Sequence, residues 1–356
     1  MFRKLFLLPA LCSCLIAGGC VSIGETQLRA DQVSYERALG EAKKREMLAA
    51  IVGLRYADEP GFLTVTQIIA AYTFDATGGS TLNGGSGSEA SFAQATGSVS
   101  YSNHPTFTFT PTTGQAYATA FIRPLPATLF LPLASSDVPI DLLLRLTAQS
   151  MGGLRNGSAL GGPNSNGSPQ FFELLRLLRS LQIAGELTVE YREDNHIGHV
   201  SITLAGTPTG DSTQTERDVE RVRTLLHLSS RAKSYEVTYG QAAGSGDTIT
   251  MVPRSVLGIL SNLGAQISVP PGQVESGATK PTVGLVGGEA RPTVVVHAGK
   301  SAPANAYASI AYGGTVYWID NADFDSKYAF TVVQNLMALA EANQDAKTPV
   351  ITVPAG

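Results

Sequence analysis

Apolar residues recur at helical spacing in several stretches of the chain. Between Ser34 and Tyr56, Leu39, Ala42, Met47, Ile51 and Leu54 fall on one broad face, while Glu41, Lys43, Lys44, Arg45 and Glu46 are polar. The pattern predicts a helix capped at Asp31 or Ser34 and ended by Pro60-Gly61. Ser168-Pro169 reads as a cap with proline at the first helical position, followed by a stripe of Phe171, Leu174, Leu175, Leu178 and Leu181. Glu216–Leu228 predicts a helix with Val219, Val222, Leu225 and Leu226 inward. Two more are predicted over Arg254–Leu263 and Asp323–Ala342, the latter with Ala329, Val332, Val333, Leu336 and Ala340 on one face.

Alternation marks the strands. Thr106 to Thr110 alternates cleanly, so Phe107 and Phe109 share a face. Phe62–Phe74 is β-branched enough for a strand, although Ile68–Tyr72 also fits a helix. Leu187–Arg192 reads as a partner of His199–Leu204, and Ser234–Tyr239 and Thr248–Val252 as strands. Thr293–His297, Tyr307–Tyr312 and Thr315–Ile319 complete the set. Asp141–Met151 fits strand or helix. Pro124, Pro126 and Pro132 limit Gln115–Leu133 to a turn or two of helix on either side of Pro124.

Two polar segments interrupt these patterns. Residues 78–97 (GGSTLNGGSGSEASFAQATG) offer little to pack and predict a Gly/Ser-rich loop. It is not a phosphate loop, because it lacks lysine and the G-x-x-x-x-G-K-[ST] order. Asn156–Ser168 is a second loop and the expected subdomain boundary. The expected organisation is a leader (1–19), a tether (20–31), an N-terminal subdomain (32–155) and a C-terminal subdomain (168–356). Strands joined by short turns, with helices between them, predict an α+β fold of mainly antiparallel sheets.

Composition narrows the class. The chain has 356 residues, 25 Lys+Arg against 29 Asp+Glu, 43% apolar and 15% charged residues. This suffices for a core without disulfides and excludes collagen, a coiled coil and a wholly disordered chain. At the start, Arg3 and Lys4 precede an apolar run, Leu5–Ile16, and Ala17-Gly18-Gly19 precedes Cys20. The run is short for the ~30 Å of a bilayer core and ends in small residues, which predicts a cleaved secretory leader. Losing Arg3 and Lys4 moves the formal net charge from −4 to −6. With no Lys/Arg run, no nucleic-acid partner is expected.

Ala17-Gly18-Gly19-Cys20 resembles the lipobox of bacterial lipoproteins. That resemblance implies cleavage before Cys20, diacylglycerol on its sulfur and an acylated amino end. Leu11-Cys12-Ser13-Cys14 is a competing site, but it leaves a very short apolar run. Three acyl chains hold a protein at a membrane essentially permanently. Val21 in place of Asp implies, by the same resemblance, the outer membrane, facing the periplasm. The mature chain then has no thiol, because Cys12 and Cys14 leave with the leader. Leu54–Val65, His104–Pro126 with Ile140–Asn156, and Val316–Val333 together resemble a family of hypothetical bacterial lipoproteins. The resemblance supports an envelope lipoprotein and brings no activity, fold or catalytic residue with it.

Candidate chemistry is sparse. No G-x-S-x-G elbow occurs; Ser158 and Ser301 lie in small-residue loops with no base marked beside them. Glu193, Asp194, His196 and His199 offer metal-type ligands, with His196 and His199 three apart, but the same run suits a hairpin turn. Asp320, Asp323 and Asp325, with Asn321, follow a strand and precede a helix; they read as oxygen ligands, as acid/base carboxylates or as a helix cap. Tyr307, Tyr312, Tyr317 and Trp318 make an aromatic hairpin turning at Gly313-Gly314. With the odd-numbered rings outward, it offers a partner- or glycan-binding face, Tyr317 and Trp318 being the binding candidates. The leading expectation is a non-catalytic scaffold or assembly component acting through contacts with envelope proteins, with no cofactor. A periplasmic hydrolase of cell-wall or glycan material and a glycan- or ligand-binding module are the alternatives.

Overall fold

A computed structural model of the chain describes residues 23–69, 72–83, 92–103, 106–158, 166–205, 212–243, 246–282 and 291–342. The expected leader and Cys20 lie outside the described residues. The fold is α+β, with mostly antiparallel sheets. The chain divides into two compact units, one of Met1–Pro60 with Gln115–Gly356, the other of Gly61–Gly114. The boundary expected at 156–168 therefore falls inside one unit.

In the larger unit, helix α1 runs over Ile23–Arg55. Residues 23–31 of the expected tether are helical, so Asp31 and Ser34 sit within the helix rather than at its start. In its C-terminal part Met47, Leu48, Ala50, Ile51 and Val52 are in the core, whereas Ala42 is exposed. The proline-rich run forms short pieces: α2 (Gly114–Tyr117), a π-turn (Ala118–Ile122), α3 (Ala127–Phe130) and a 3-10 turn (Leu131–Ser136). Asp141–Met151 resolves into both candidates, α4 (Ile140–Thr147) running directly into β5 (Ala148–Met151).

A six-stranded sheet forms the centre of this unit, in the order β6-β5-β10-β9-β8-β7. Its strands are β5, β6 (Leu154–Arg155), β7 (Leu187–Asp194), β8 (Ile197–Leu204), β9 (Ser234–Tyr239) and β10 (Thr248–Pro253). Strands from both sides of residue 156 pair here, which is why no domain boundary exists there. β9 and β10 are parallel rather than a hairpin pair, and β10 is antiparallel to β5. Helices α5 (Pro169–Ile183) and α6 (Ser212–Leu226) bury their predicted stripes. Ser168 does not cap α5 with its side chain; its hydroxyl exchanges hydrogen bonds with the backbone of Arg155 (3.1 and 3.2 Å).

Helix α7 (Val256–Ala265) is capped by the Ser255 hydroxyl, which accepts the Gly258 N–H at 3.1 Å. It packs on α1 through Gly264, where an added Cβ would lie 2.6 Å from the Ile51 carbonyl oxygen. Helix α8 (Pro271–Glu275) follows. A three-stranded sheet has the order β11-β13-β12, from β11 (His297–Gly299), β12 (Ala308–Tyr312) and β13 (Thr315–Ile319). β11 shares only His297 with the strand expected over Thr293–His297; Val294 and Val296 are buried in the approach to it. Helix α9 (Phe324–Ala342) closes the described chain and buries its predicted face.

The smaller unit is built of paired strands. β1 (Leu63–Ile69) pairs with β4 (Thr106–Pro111), and β2 (Tyr72–Asn83) with β3 (Phe92–Asn103), both antiparallel. Phe107 and Phe109 do share a face, with ring centroids 6.4 Å apart. The Gly/Ser-rich loop expected at 78–97 is overturned at both ends: 78–83 and 92–97 are paired strand, while 84–91 lie outside the described residues. Backbone hydrogen bonding across a ribbon needs no apolar side chain, so a small-residue segment forms it as well as any.

Candidate functional site

The acidic cluster sits at the start of α9. Asp323 precedes the first helical residue, and its carboxylate accepts the Ser326 N–H (3.1 Å) and the Ser326 hydroxyl (2.7 Å). This is a helix cap, which satisfies donors the helix leaves open. Arg291 donates from Nη2 to both Asp323 oxygens (2.8 and 2.6 Å) and to the Ser326 hydroxyl (2.8 Å). The Val295 N–H also reaches that hydroxyl, at 2.9 Å. Burial pushes the Asp323 pKa up, but the hydrogen bonds from Arg291 and Ser326 outweigh it and hold the group at about 2. Asp320 accepts the Ala322 N–H at 2.9 Å and shapes the turn before the helix. Asp325 is exposed, 3.6 Å from Arg291. The three carboxylates are thus distributed over a turn, a cap and the surface.

The histidines lie at the tip of the β7–β8 hairpin. Asn195 and His196 form its two-residue turn, both with positive φ (48° and 65°), as an I′ turn requires. His196 faces Glu193 at 3.6 Å, whereas His199 Nδ1 lies 2.8 Å from Glu236 on β9. The two imidazoles therefore address different carboxylates. Among the described residues, no group of three or more potential ligands converges. Ser158 and Ser301 lie in the loops after β6 and β11.

The aromatic hairpin turns at Gly313-Gly314, whose positive φ values suit the tight reversal. Its odd-numbered rings do not face outward. Tyr317 is fully buried, with its hydroxyl hydrogen-bonded to that of Tyr56, which in turn donates to Gln273. Burial, followed by that hydrogen bond, raises the Tyr317 pKa. Tyr307 packs edge-on against Phe330, with Lys44 Nζ 4.2 Å above its ring. Trp318 occupies the opposite face of β13 and stacks on His297, with centroids 5.5 Å apart. Gly299 makes room for its ring. Of the two binding candidates, only Trp318 remains on an accessible face.

Two features had no signal in the sequence reading. Arg254 is buried, and its guanidinium donates to the carbonyls of Arg145 (2.9 Å), Leu146 (3.2 Å) and Gly157. Its own N–H donates to the Thr147 carbonyl at 2.6 Å, so one residue closes the C-terminus of α4. Burial pulls its pKa down to about 10. The second feature is an open groove of about 560 Å³ between the run Arg123–Thr128 and Val237, Thr238, Tyr239 and Met251 of β9 and β10. Tyr239, 73% exposed, forms its rim. The prolines that read only as helix breakers furnish its rigid wall.

No protein-family model matches the chain, and neither curated proteins nor solved structures give a match to it.

Proposed function

We propose that the protein is a lipid-anchored component of a bacterial envelope that works through protein contacts rather than catalysis. The observation that carries this reading is the use of one of the three candidate carboxylates, Asp323, as a helix cap paired with Arg291. A carboxylate held at about 2 by a cap and a guanidinium is a poor proton donor near neutral pH. The proline-walled groove supplies a surface suited to an apolar segment of a partner. Anchoring rests on Ala17-Gly18-Gly19-Cys20 and on the residues that resemble hypothetical lipoproteins.

Mass analysis of the mature amino end tests the anchor. The expected species begins at acylated Cys20, and Cys20→Ser releases the chain from membranes; an unmodified Cys20 in membrane-bound protein removes the anchor. Turnover of cell-wall or glycan substrates by the purified chain, abolished by Asp320→Asn, overturns the non-catalytic part.

A further inference from the structure

One face of the six-stranded sheet emerges at the groove with two tyrosines on it. Tyr191 on β7 lies opposite Val200 on β8, Ile202 lies opposite Tyr235 on β9, and Tyr239 lies beside Met251 on β10. Residues opposite each other share a face, and so do residues two apart along a strand. Tyr191, Val200, Val237, Tyr239 and Met251 therefore lie on one side of the sheet. Val200 and Tyr235 are buried there, whereas Tyr191 is 49% and Tyr239 73% exposed. Tyr191 leans across β8: a Cβ placed on Gly198 would lie 3.1 Å from its ring. The strand between β7 and β9 is β8, so Tyr191 leans toward the strand that carries Tyr239.

The proline run lies along this face. Arg123–Thr128 walls the first depression, of about 560 Å³, against Val237, Tyr239 and Met251. A second, of about 380 Å³, is lined by Pro126, Thr128, Leu129, Pro132 and Tyr191. The two share Pro126 and Thr128, so they form one open groove with a tyrosine in each half. Its wall has no backbone donor to offer. Pro124 and Pro126 lack an N–H, the Arg123 N–H donates to the Ala118 carbonyl, and the Leu125 N–H donates to the Arg254 carbonyl, both at 3.0 Å. Across the groove, β9 and β10 are interior strands and have no free edge. A peptide that adds a strand needs such an edge, so neither wall can template one. A polyproline II segment needs no ladder: it docks by laying rings in an aromatic-lined groove, and its backbone is ordered before it binds. Charge narrows the occupant further. Arg123 is exposed, is the one charged residue lining either depression, and pairs with no carboxylate among the described residues. An acidic group on the occupant complements it.

We propose that the groove binds a proline-rich segment of a partner protein in the polyproline II conformation, with proline rings against Tyr191 and Tyr239 and an acidic residue beside Arg123. The inference rests on the reading that the protein works through protein contacts, and it names the chemistry of that contact. Tyrosine suits the task, because it presents a flat apolar body together with a hydroxyl that donates to the carbonyls a polyproline II backbone leaves open.

The test uses the full chain in mild detergent and the fluorescein-labelled peptide Asp-Pro-Pro-Ala-Pro-Pro-Ala-Pro, with binding read by fluorescence anisotropy. Two counterparts run beside it, one with every proline replaced by alanine and one with Asn in place of Asp. Saturable binding of the proline peptide is expected, with the alanine counterpart weaker by about ten-fold or more. Tyr239→Ala is expected to weaken binding by about ten-fold. Arg123→Gln is expected to weaken it by about three-fold, a loss the Asn counterpart does not show. Phe324→Ala removes a similarly exposed aromatic ring outside the groove and leaves binding within about two-fold. Equal binding of the proline and alanine peptides, or binding indifferent to Tyr239→Ala, overturns the proposal. So does a groove covered by a second copy of the chain, seen as a dimer that Tyr239→Ala turns into a monomer. Peptide binding by a chain that also hydrolyses glycan upholds the groove and removes the non-catalytic reading. No peptide binding by an inert chain acylated at Cys20 overturns the groove and leaves that reading standing.

Discussion

Asp323 and Arg254 show how single residues are committed by their surroundings. The folded pKa of Asp323, about 2, lies below the ~3.9 of an unfolded aspartate. Its contribution to stability is therefore fully present above pH ~4 and is lost as the pH falls toward 2. Allowing for solvent screening of a partly exposed pair, the amount is about 1–2 kcal/mol. Asp323→Asn is expected to be less stable than the parent by that amount at pH 7, with the gap closing in acid; urea titrations at pH 7 and 2.5 measure it. Arg254 is a cation surrounded by carbonyls at the end of α4. Arg254→Met leaves those carbonyls buried and unpaired, at a cost of about 3–5 kcal/mol. A fall in Tm of only a degree or two would sink that assignment.

At the scale of elements, α1 and α7 approach each other closely. Gly264→Ala puts a methyl group 2.6 Å from the Ile51 carbonyl oxygen, and one helix must shift. The expected loss is about 1–3 kcal/mol, read as a lower chemical midpoint with an unchanged slope. Helices and the β7–β8 hairpin were legible beforehand because their signals are local: stripes such as Phe171 to Leu181, and a turn at Asn195-His196 that admits φ above zero. Elements whose partners lie far away in sequence were not legible. β10 pairs in parallel with β9 on one edge and with the distant β5 on the other. The paired strands at 72–83 and 92–103 were hidden because their glycines and serines resemble a linker in composition.

For the whole molecule, the two units differ in what holds them. The larger unit encloses a core of fully buried residues such as Phe121, Phe130, Phe171, Tyr235 and Phe330. In the smaller one, Leu63, Ile69 and Phe109 remain about half exposed. Amide hydrogen exchange in the absence of lipid is therefore expected to be slowest in β8, β9 and β10 and many-fold faster along β2 and β3. Equal protection of the two regions would show that the ribbon is stabilised by something other than its own pairing.

The order of residues alone determined the helix faces, the tight turns and the alternating strands, since each depends on neighbours a few positions away. Tertiary structure decided what the candidate residues do. Arg291, 32 positions before Asp323, turns a possible acid into a cap partner. Tyr56 and Gln273 draw the Tyr317 hydroxyl inward rather than toward a ligand. The physical reason is that charge state, burial and strand register depend on which distant groups meet, and distance along the chain carries no record of that meeting.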